Sequence, residues 1–394
     1  MFITENNLIP VAKEYDTVVC GGGIAGIAAA LAASRNGAKT LLIENSFILG
    51  GLATAGLIAI YLPICDGKGK QVSFGIAEEL LKLTVKHGTE YPENAESWIN
   101  KESVKKGRYF TKYNPNVFSV LSESLLKDEK VDILFGTRVC AAKVEDNRIT
   151  HIIIENKSGR SAISAKNFAD CTGDADICAL SGEETYIYPE GNILAGWYVR
   201  AKDGKNELCP LGACDSQRKN DELESVVKSK RISGLDADEL SEFTLNSHKL
   251  TLEDFLKNGN VSDKNSLSTI SSIPEMRMTR RLSGCYTQKY DENSKAFSDS
   301  VGLYADWESC ARVYELPFSS LHGKKIKNLI AAGRCISSDD KLWNITRVIP
   351  VCAVSGEAAG TACALFADFN CADISKLQEV LKSNGAKIHL NEIY

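Results

Sequence analysis

Four residues within the first 44 have types and a spacing that can do chemistry. Gly21, Gly23 and Gly26 follow the apolar run Val18–Cys20, and Glu44 stands 18 residues past Gly26, where a second apolar run ends. Glycine at the first position permits a tight turn. At the second it lets a diphosphate approach the backbone, and at the third it allows a helix to pack closely on a strand. A helix starting there offers unpaired N–H groups and a partial positive charge to an anion. An acid roughly 20 residues on can accept from ribose hydroxyls. The glycines alone are a weak signal, but apolar run, glycines, Ala-rich segment, second apolar run and acid occur in order. That context reads as a dinucleotide-binding β–turn–α–β unit; a Gly-rich turn without a ligand is the alternative.

Other candidates lie far down the chain. Arg277, Arg280 and Arg281 form a cluster, and alternation along a strand would put Arg277 and Arg281 on one face. Such a pair suits a carboxylate or other anion, or else a salt-bridged lobe interface. Tyr286, on the strand expected over 280–288, can donate a proton or simply pack half-buried. Arg347 precedes a helix that begins near Pro350. Cys352 lies in that helix's first turn, a location that can depress a thiol pKa, although a small buried thiol is the plainer reading. Tyr61 and Asp66 can line a cavity or sit in a solvated loop. The 5 histidines show no pairing, so none is nominated as a general base. The 13 cysteines contain no CxxC pair and few histidines lie near them, so no metal site is expected.

The elements that must position these residues can be read from pattern. With 394 residues, 44% hydrophobic and 25% charged, the chain suits a globular protein of two lobes. A net charge of −5 and no long basic block argue against nucleic-acid or anionic-membrane partners. The apolar runs near 17–33 and 348–367 are broken by glycines and fall short of the ~20 residues of a membrane span. No signal peptide is read at the N-terminus, and scattered thiols fit a reducing cytoplasm, which is the expected location. Leu8–Val11 is expected at a sheet edge, where a proline is tolerated. A long small-residue loop spans 45–69, and helices are expected over 75–87 and 116–127, the latter capped by Asn114 or Asn116. A polar surface excursion is expected at 88–112. Short β-branched runs at 131–135, 138–144, 149–154 and 161–165 suggest a small antiparallel meander. Strands are expected near 167–170, 197–199 and 328–332, charged helices over 219–260, and helices over 350–369 and 374–381. The fold class is α/β: a Rossmann-like parallel sheet with an inserted meander (1–182 and 315–394) and a second cap lobe (183–314) holding the substrate determinants.

These motifs together resemble a known family. The carriers are the Val18–Glu44 fingerprint, Leu49–Gly56, Gln71–Leu80, Ala169–Asp174, Arg277–Leu282, Ala331–Cys335, Arg347–Pro350 and Gly356–Gly360. The chain resembles the bacterial FAD-dependent oxidoreductases of the glutathione-reductase-like superfold. The Gly50-Gly51 loop, the Cys171–Asp174 turn and the Ala331–Arg334 strand end favour FAD over NAD. The resemblance implies that Gly21, Gly22, Gly23, Ala25 and Gly26 hold the pyrophosphate and Glu44 the adenosine ribose, with Asn45 beside it. It places Gly50, Gly51, Leu52, Ala53 and Thr54 close to the flavin, and Val139 against the adenine. Thr172 and Gly173 would flank the cofactor, and Gly333 and Arg334 would lie near the ribityl chain. The helix near Val351 would point its N-terminus at the flavin ring. The usual Gly-Asp of the C-terminal turn is Gly333-Arg334, so Asp339 or Asp340 is expected to reach the ribityl hydroxyls instead. Ala53 and Ile58 stand where disulfide reductases carry their cysteines, so disulfide exchange by that route is not expected. The activity implied is hydride transfer between flavin and a small organic substrate bound between the lobes. Arg347, Arg277, Arg281, Tyr286 and Cys352 are the catalytic candidates, and no electron donor or acceptor can be named. An RNA-modifying flavoprotein and a non-catalytic electron-transfer module are the alternatives.

Overall fold

A computed structural model describes residues 3, 6, 8–87, 110–212, 229–259 and 261–394. The excursion expected at 88–112, apart from its last three residues, and the helices expected before 229 lie outside the described residues. In chain order the strands are β1 (Val11–Cys20), β2 (Thr40–Ile43), β3 (Ile60–Tyr61), β4 (Thr111–Lys112), β5 (Asp132–Leu134), β6 (Arg138–Glu145), β7 (Arg148–Asn156) and β8 (Gly159–Asp170). They continue as β9 (Thr185–Ile187), β10 (Tyr198–Lys202), β11 (Lys205–Cys209), β12 (Asn265–Ile270), β13 (Arg280–Leu282), β14 (Ser300–Ala305), β15 (Val313–Pro317) and β16 (Leu329–Ala331). The helices are α1 (Ile24–Arg35), α2 (Ile76–Val85), α3 (Pro115–Asp128), α4 (Asp176–Ser181), α5 (Ala237–Lys257), α6 (Asp340–Thr346), α7 (Ile349–Leu365) and α8 (Ile374–Ser383).

The main sheet runs β5-β2-β1-β8-β7-β6, with β16 also on β8. β1, β2, β5, β8 and β16 are mutually parallel, while β6-β7-β8 is the antiparallel meander. Three details differ from the pattern reading. Residues 131–135 belong to the parallel edge beside β2 rather than to the meander, because α3 carries the chain back across the sheet. The runs 161–165 and 167–170 form one strand, whose edge pairs first with β7 and then with β16. Asn328 fills that junction: its amide donates to Ile149 O and Lys166 O and accepts from Ile149 N, each at 2.9 Å. Leu8–Val11 likewise leads into the central β1, not an edge strand. Pro10 precedes the ladder and serves it only as an acceptor, from Ala162 N at 2.8 Å.

The layer on the sheet is built from two helices of small residues. A Cβ on Gly356 would overlap Ala25 O, and one on Gly360 would overlap Ala29 O, so α7 lies backbone-to-backbone on α1. Apolar residues surround nearly all of α7, as expected of a core helix rather than an amphipathic one. Pro350 takes its second position. The hairpin β14–β15 packs Val301, Tyr304, Tyr314 and Leu316 into the same core. Asn114, not Asn116, caps α3, accepting from Asn116 N and Val117 N. Beyond the sheet, β10 is flanked by β11 and β12, and α5 buries Phe243, Leu250 and Phe255. Among the described residues no single helix is long and apolar enough to cross a membrane.

Glu357 breaks the small-residue pattern of α7. Its Oε2 accepts Ile76 N at 2.9 Å, capping α2 across the core, and burial pushes the carboxyl up to about 8. A folded-state pKa above the ordinary 4.5 means the contribution to stability is complete below that pH and is lost as pH rises through about 8. Glu357→Gln keeps an acceptor for Ile76 N and removes the titration. Urea unfolding between pH 4.5 and 8 is expected to show wild type losing on the order of 4 kcal/mol relative to this variant.

Candidate active site

A groove lies at the carboxyl ends of β1, β2, β8 and β16. Each strand supplies the turn that follows it: Gly21–Ala25, Glu44, Cys171–Asp174 and Ala332–Arg334. Open α/β sheets bind ligands at this end. The far wall is Gly234, Leu240, Ile273, Pro274 and Met276.

The first turn shows why its residues are glycines. Gly21 has φ +103, and a Cβ there would overlap Cys171 O; one on Gly26 would overlap Gly21 O. Gly23 is different, since a Cβ added to it meets nothing within 4 Å. Its open face looks into the groove at the start of α1, a cradle that fits a diphosphate. Glu44 is pinned at the groove's edge: Oε2 accepts Gly22 N and Oε1 accepts Ser46 N and Oγ, all at 2.7 Å. Gly50 N donates to Gly22 O at 2.8 Å, bringing Gly51, Leu52 and Ala53 alongside. Thr54 does not line the groove; its hydroxyl donates to Leu49 O at 2.5 Å and supports the loop. The third turn is held by Asp170, which accepts Thr172 Oγ1 at 2.6 Å and Cys178 N at 2.9 Å.

The candidate cofactor residues Gly21, Gly23, Ala25, Glu44, Gly50–Ala53, Thr172, Gly173, Gly333 and Arg334 thus converge. Asn45 and Val139 lie outside, Asn45 exposed beyond Glu44 and Val139 on β6 opposite Ile154. Val351 is fully buried; Ile349 and Cys352 are the α7 residues that reach the groove. Asp339 and Asp340 do not reach it. Asp339 caps α6 through Leu342 N at 2.8 Å and accepts Tyr290 N at 3.0 Å, and Asp340 accepts the Tyr186 hydroxyl at 3.0 Å.

Of the chemistry-bearing candidates, the structure brings Arg347 and Cys352 into the groove. Arg347 ends α6, and its Nη2 donates to Asn344 Oδ1 at 2.5 Å. Burial pushes the Cys352 thiol up to about 12 despite Arg334 and Arg347 nearby, opposite to the depression expected of a helix start. Arg277 and Arg281 do not share a strand face, because β13 spans only Arg280–Leu282. Arg277 is buried, donating to Gly212 O. Arg281 lies over the rings of Tyr186 at 4.3 Å and Trp343 at 5.6 Å, a packed cation–π contact. Tyr286 sits beyond the short strand and donates to Glu292, with Lys295 donating to it at 3.2 Å. Tyr61 is buried with its hydroxyl on Ala77 O, and Asp66 orders its own turn through Lys68 N. The cap wall and Asp174 were missed; only Asp174, inside a recognised motif, carried a signal. Among the described residues no group of His, Cys, Asp and Glu can hold a metal.

A glycine cradle at a helix N-terminus, an acid at the end of β2 and a groove at the sheet's carboxyl edge define a Rossmann-type dinucleotide-binding protein. A family model described as FAD dependent oxidoreductase matches residues 16–193 and 195–381. The chain belongs to that family, and its cofactor is FAD. Among curated proteins it is similar to a thioredoxin reductase of Ureaplasma parvum, 34% identical over 73 residues, 18% of this chain and 24% of that one. The chain thus spans about a quarter of that relative's length. Solved structures are distant. A geranylgeranyl bacteriochlorophyll reductase-like protein of Thermoplasma acidophilum is 13% identical, with a TM-score of 0.48, over 96% of this chain and 85% of that one. A p-nitrophenol 4-monooxygenase of Pseudomonas putida is 11% identical, with a TM-score of 0.48, over 94% and 88%.

Proposed function

We propose that the protein transfers a hydride between FAD and a small organic substrate held at the Arg347 end of the groove, under the apolar wall of Leu240, Ile273, Pro274 and Met276. The observation that carries this reading is the convergence of the dinucleotide turns, Arg347 and this wall on one groove. Gly21–Gly23 and the N-terminus of α1 would hold the diphosphate, and Glu44 the ribose. FAD would supply the two-electron chemistry. Arg347 and the start of α7 would favour negative charge developing beside them. The apolar wall would shield a bound substrate from water on its side.

The reading is not that of a disulfide reductase. Ala53 and Ile58 offer no dithiol, and the two cysteines lining the groove, the buried Cys171 and the half-buried Cys352, are thiols whose pKa values rise. We place the fold with the glutathione-reductase-like flavoproteins and the protein in a reducing cytoplasm, where its described free thiols persist. A separate electron donor or acceptor completes the cycle.

The test is anaerobic titration of the FAD-loaded protein, oxidised and reduced, against a metabolite panel, read at the flavin absorbance. A substrate that bleaches or restores the flavin is expected. Arg347→Met should keep its FAD and lose about 100-fold in kcat/KM. The reading fails if the protein cannot be loaded with FAD, or if Arg347→Met turns over as wild type does.

A further inference from the structure

Arg334 reaches the groove, yet its guanidinium is committed elsewhere. Nε donates to Gly173 O at 2.9 Å and Nη2 to Asp174 Oδ1 at 2.6 Å, both on the groove's floor. Nη1 donates to Met276 O, in the cap wall. One planar fork therefore bridges the two sides of the groove. The same floor turn is bonded to the cap twice more. Asp174 Oδ1 also accepts Thr279 Oγ1 at 2.5 Å, and Arg280 Nε donates to Asp174 O at 2.9 Å. Arg280 further pairs with Asp176 at 2.6 Å.

We propose that Arg334 is a positioning residue: it latches the cap to the groove's floor and thereby sets how Ile273, Pro274 and Met276 stand over the substrate. Its functional part rests on the reading above. Three features favour a latch over a cofactor ligand. The backbone of Arg334 is fixed from behind, since its carbonyl accepts the indole N–H of the fully buried Trp343 at 2.5 Å. The guanidinium lies against Gly173, where an added Cβ would come within 2.8 Å of Nη2, so the fork fills a space shaped for it. Its bond to the cap goes to a main-chain carbonyl, so it moves the wall's backbone and not one side chain. A lysine ammonium is a single point charge on a flexible stem and cannot span three acceptors laid out for a fork.

The latch is tested in protein without cofactor, by hydrogen exchange at the amides of Arg277 and Met278. These donate to Asn192 Oδ1 at 2.8 and 3.0 Å and so report the wall's backbone. Arg334→Lys and Arg334→Met are both expected to speed exchange there about tenfold, while β1 and β2 amides stay unchanged. Thr279→Val, which removes one floor-to-cap bond without touching the groove, should act in the same direction with a smaller factor. It carries the test if the arginine variants do not fold. In FAD-loaded protein, Arg334→Lys should retain FAD and raise substrate KM about tenfold. Unchanged exchange in these variants overturns the proposal, and loss of FAD by Arg334→Lys with exchange unaltered makes Arg334 a cofactor ligand instead. If wild type itself takes up no FAD, the hydride-transfer reading fails while the exchange result still decides the latch.

Discussion

Gly23→Val is expected to leave the apoprotein as stable as wild type and to weaken FAD binding by at least about 100-fold, whereas Gly26→Val should damage both. The two glycines are three residues apart in one motif, but their surroundings differ. Gly23 has φ −69 and ψ −177, an extended conformation open to any residue, and a Cβ there finds empty groove. A valine therefore costs the fold little and occupies the space a diphosphate must enter. A Cβ at Gly26 would overlap Gly21 O, so α1 must lift from β1, and the cradle is lost with the packing. Calorimetry of the apoproteins and FAD titration separate the two outcomes. A Gly23→Val protein that binds FAD normally would remove the diphosphate from this turn, and with it the assignment of the whole groove.

Gly360→Val should cost about 3 kcal/mol or more of stability. The site is remote from the groove. Its importance comes from the contact between α1 and α7, where a Cβ at Gly360 would overlap Ala29 O. The obstruction is backbone, and neither helix can yield alone. α1 lies on the central sheet, and α7 is buried on nearly all sides. Separating them opens voids along both, so overpacking at one point is followed by lost dispersion contacts elsewhere. Because the start of α7 lines the groove through Ile349 and Cys352, FAD affinity should fall with stability. Urea unfolding of Gly360→Val at the wild-type midpoint would show that the two helices do not meet backbone to backbone.

The β–turn–α–β unit, the cap of α3 and the Ala/Gly helix at 349–365 were legible because each is a local matter. A tight turn needs glycine within a few residues of a strand end, and an N-cap needs its acceptor two or three residues before the amide it serves. The family motifs extended this to most of the groove's floor, since each floor turn is a short segment at the end of its own strand. Strand partners were less legible. A short β-branched run marks 131–135 as a strand, but whether it pairs with β2 or β6 depends on where α3 carries the chain.

By itself, then, the sequence determined the dinucleotide-binding class of the protein and that the cofactor is FAD. The tertiary structure alone decided what the charged residues and thiols do. Arg281 stacks on aromatic rings and Arg277 is buried against Gly212 O, although both had looked like anion ligands. Arg334 had looked like a ribityl contact, and it bonds residues 58 and 161 positions away. Cys352 has the helix-start position of a reactive thiol and the desolvation of a buried one, and desolvation is the stronger effect. Side-chain role follows from partners and burial, and both are set by chain segments that meet only in the fold.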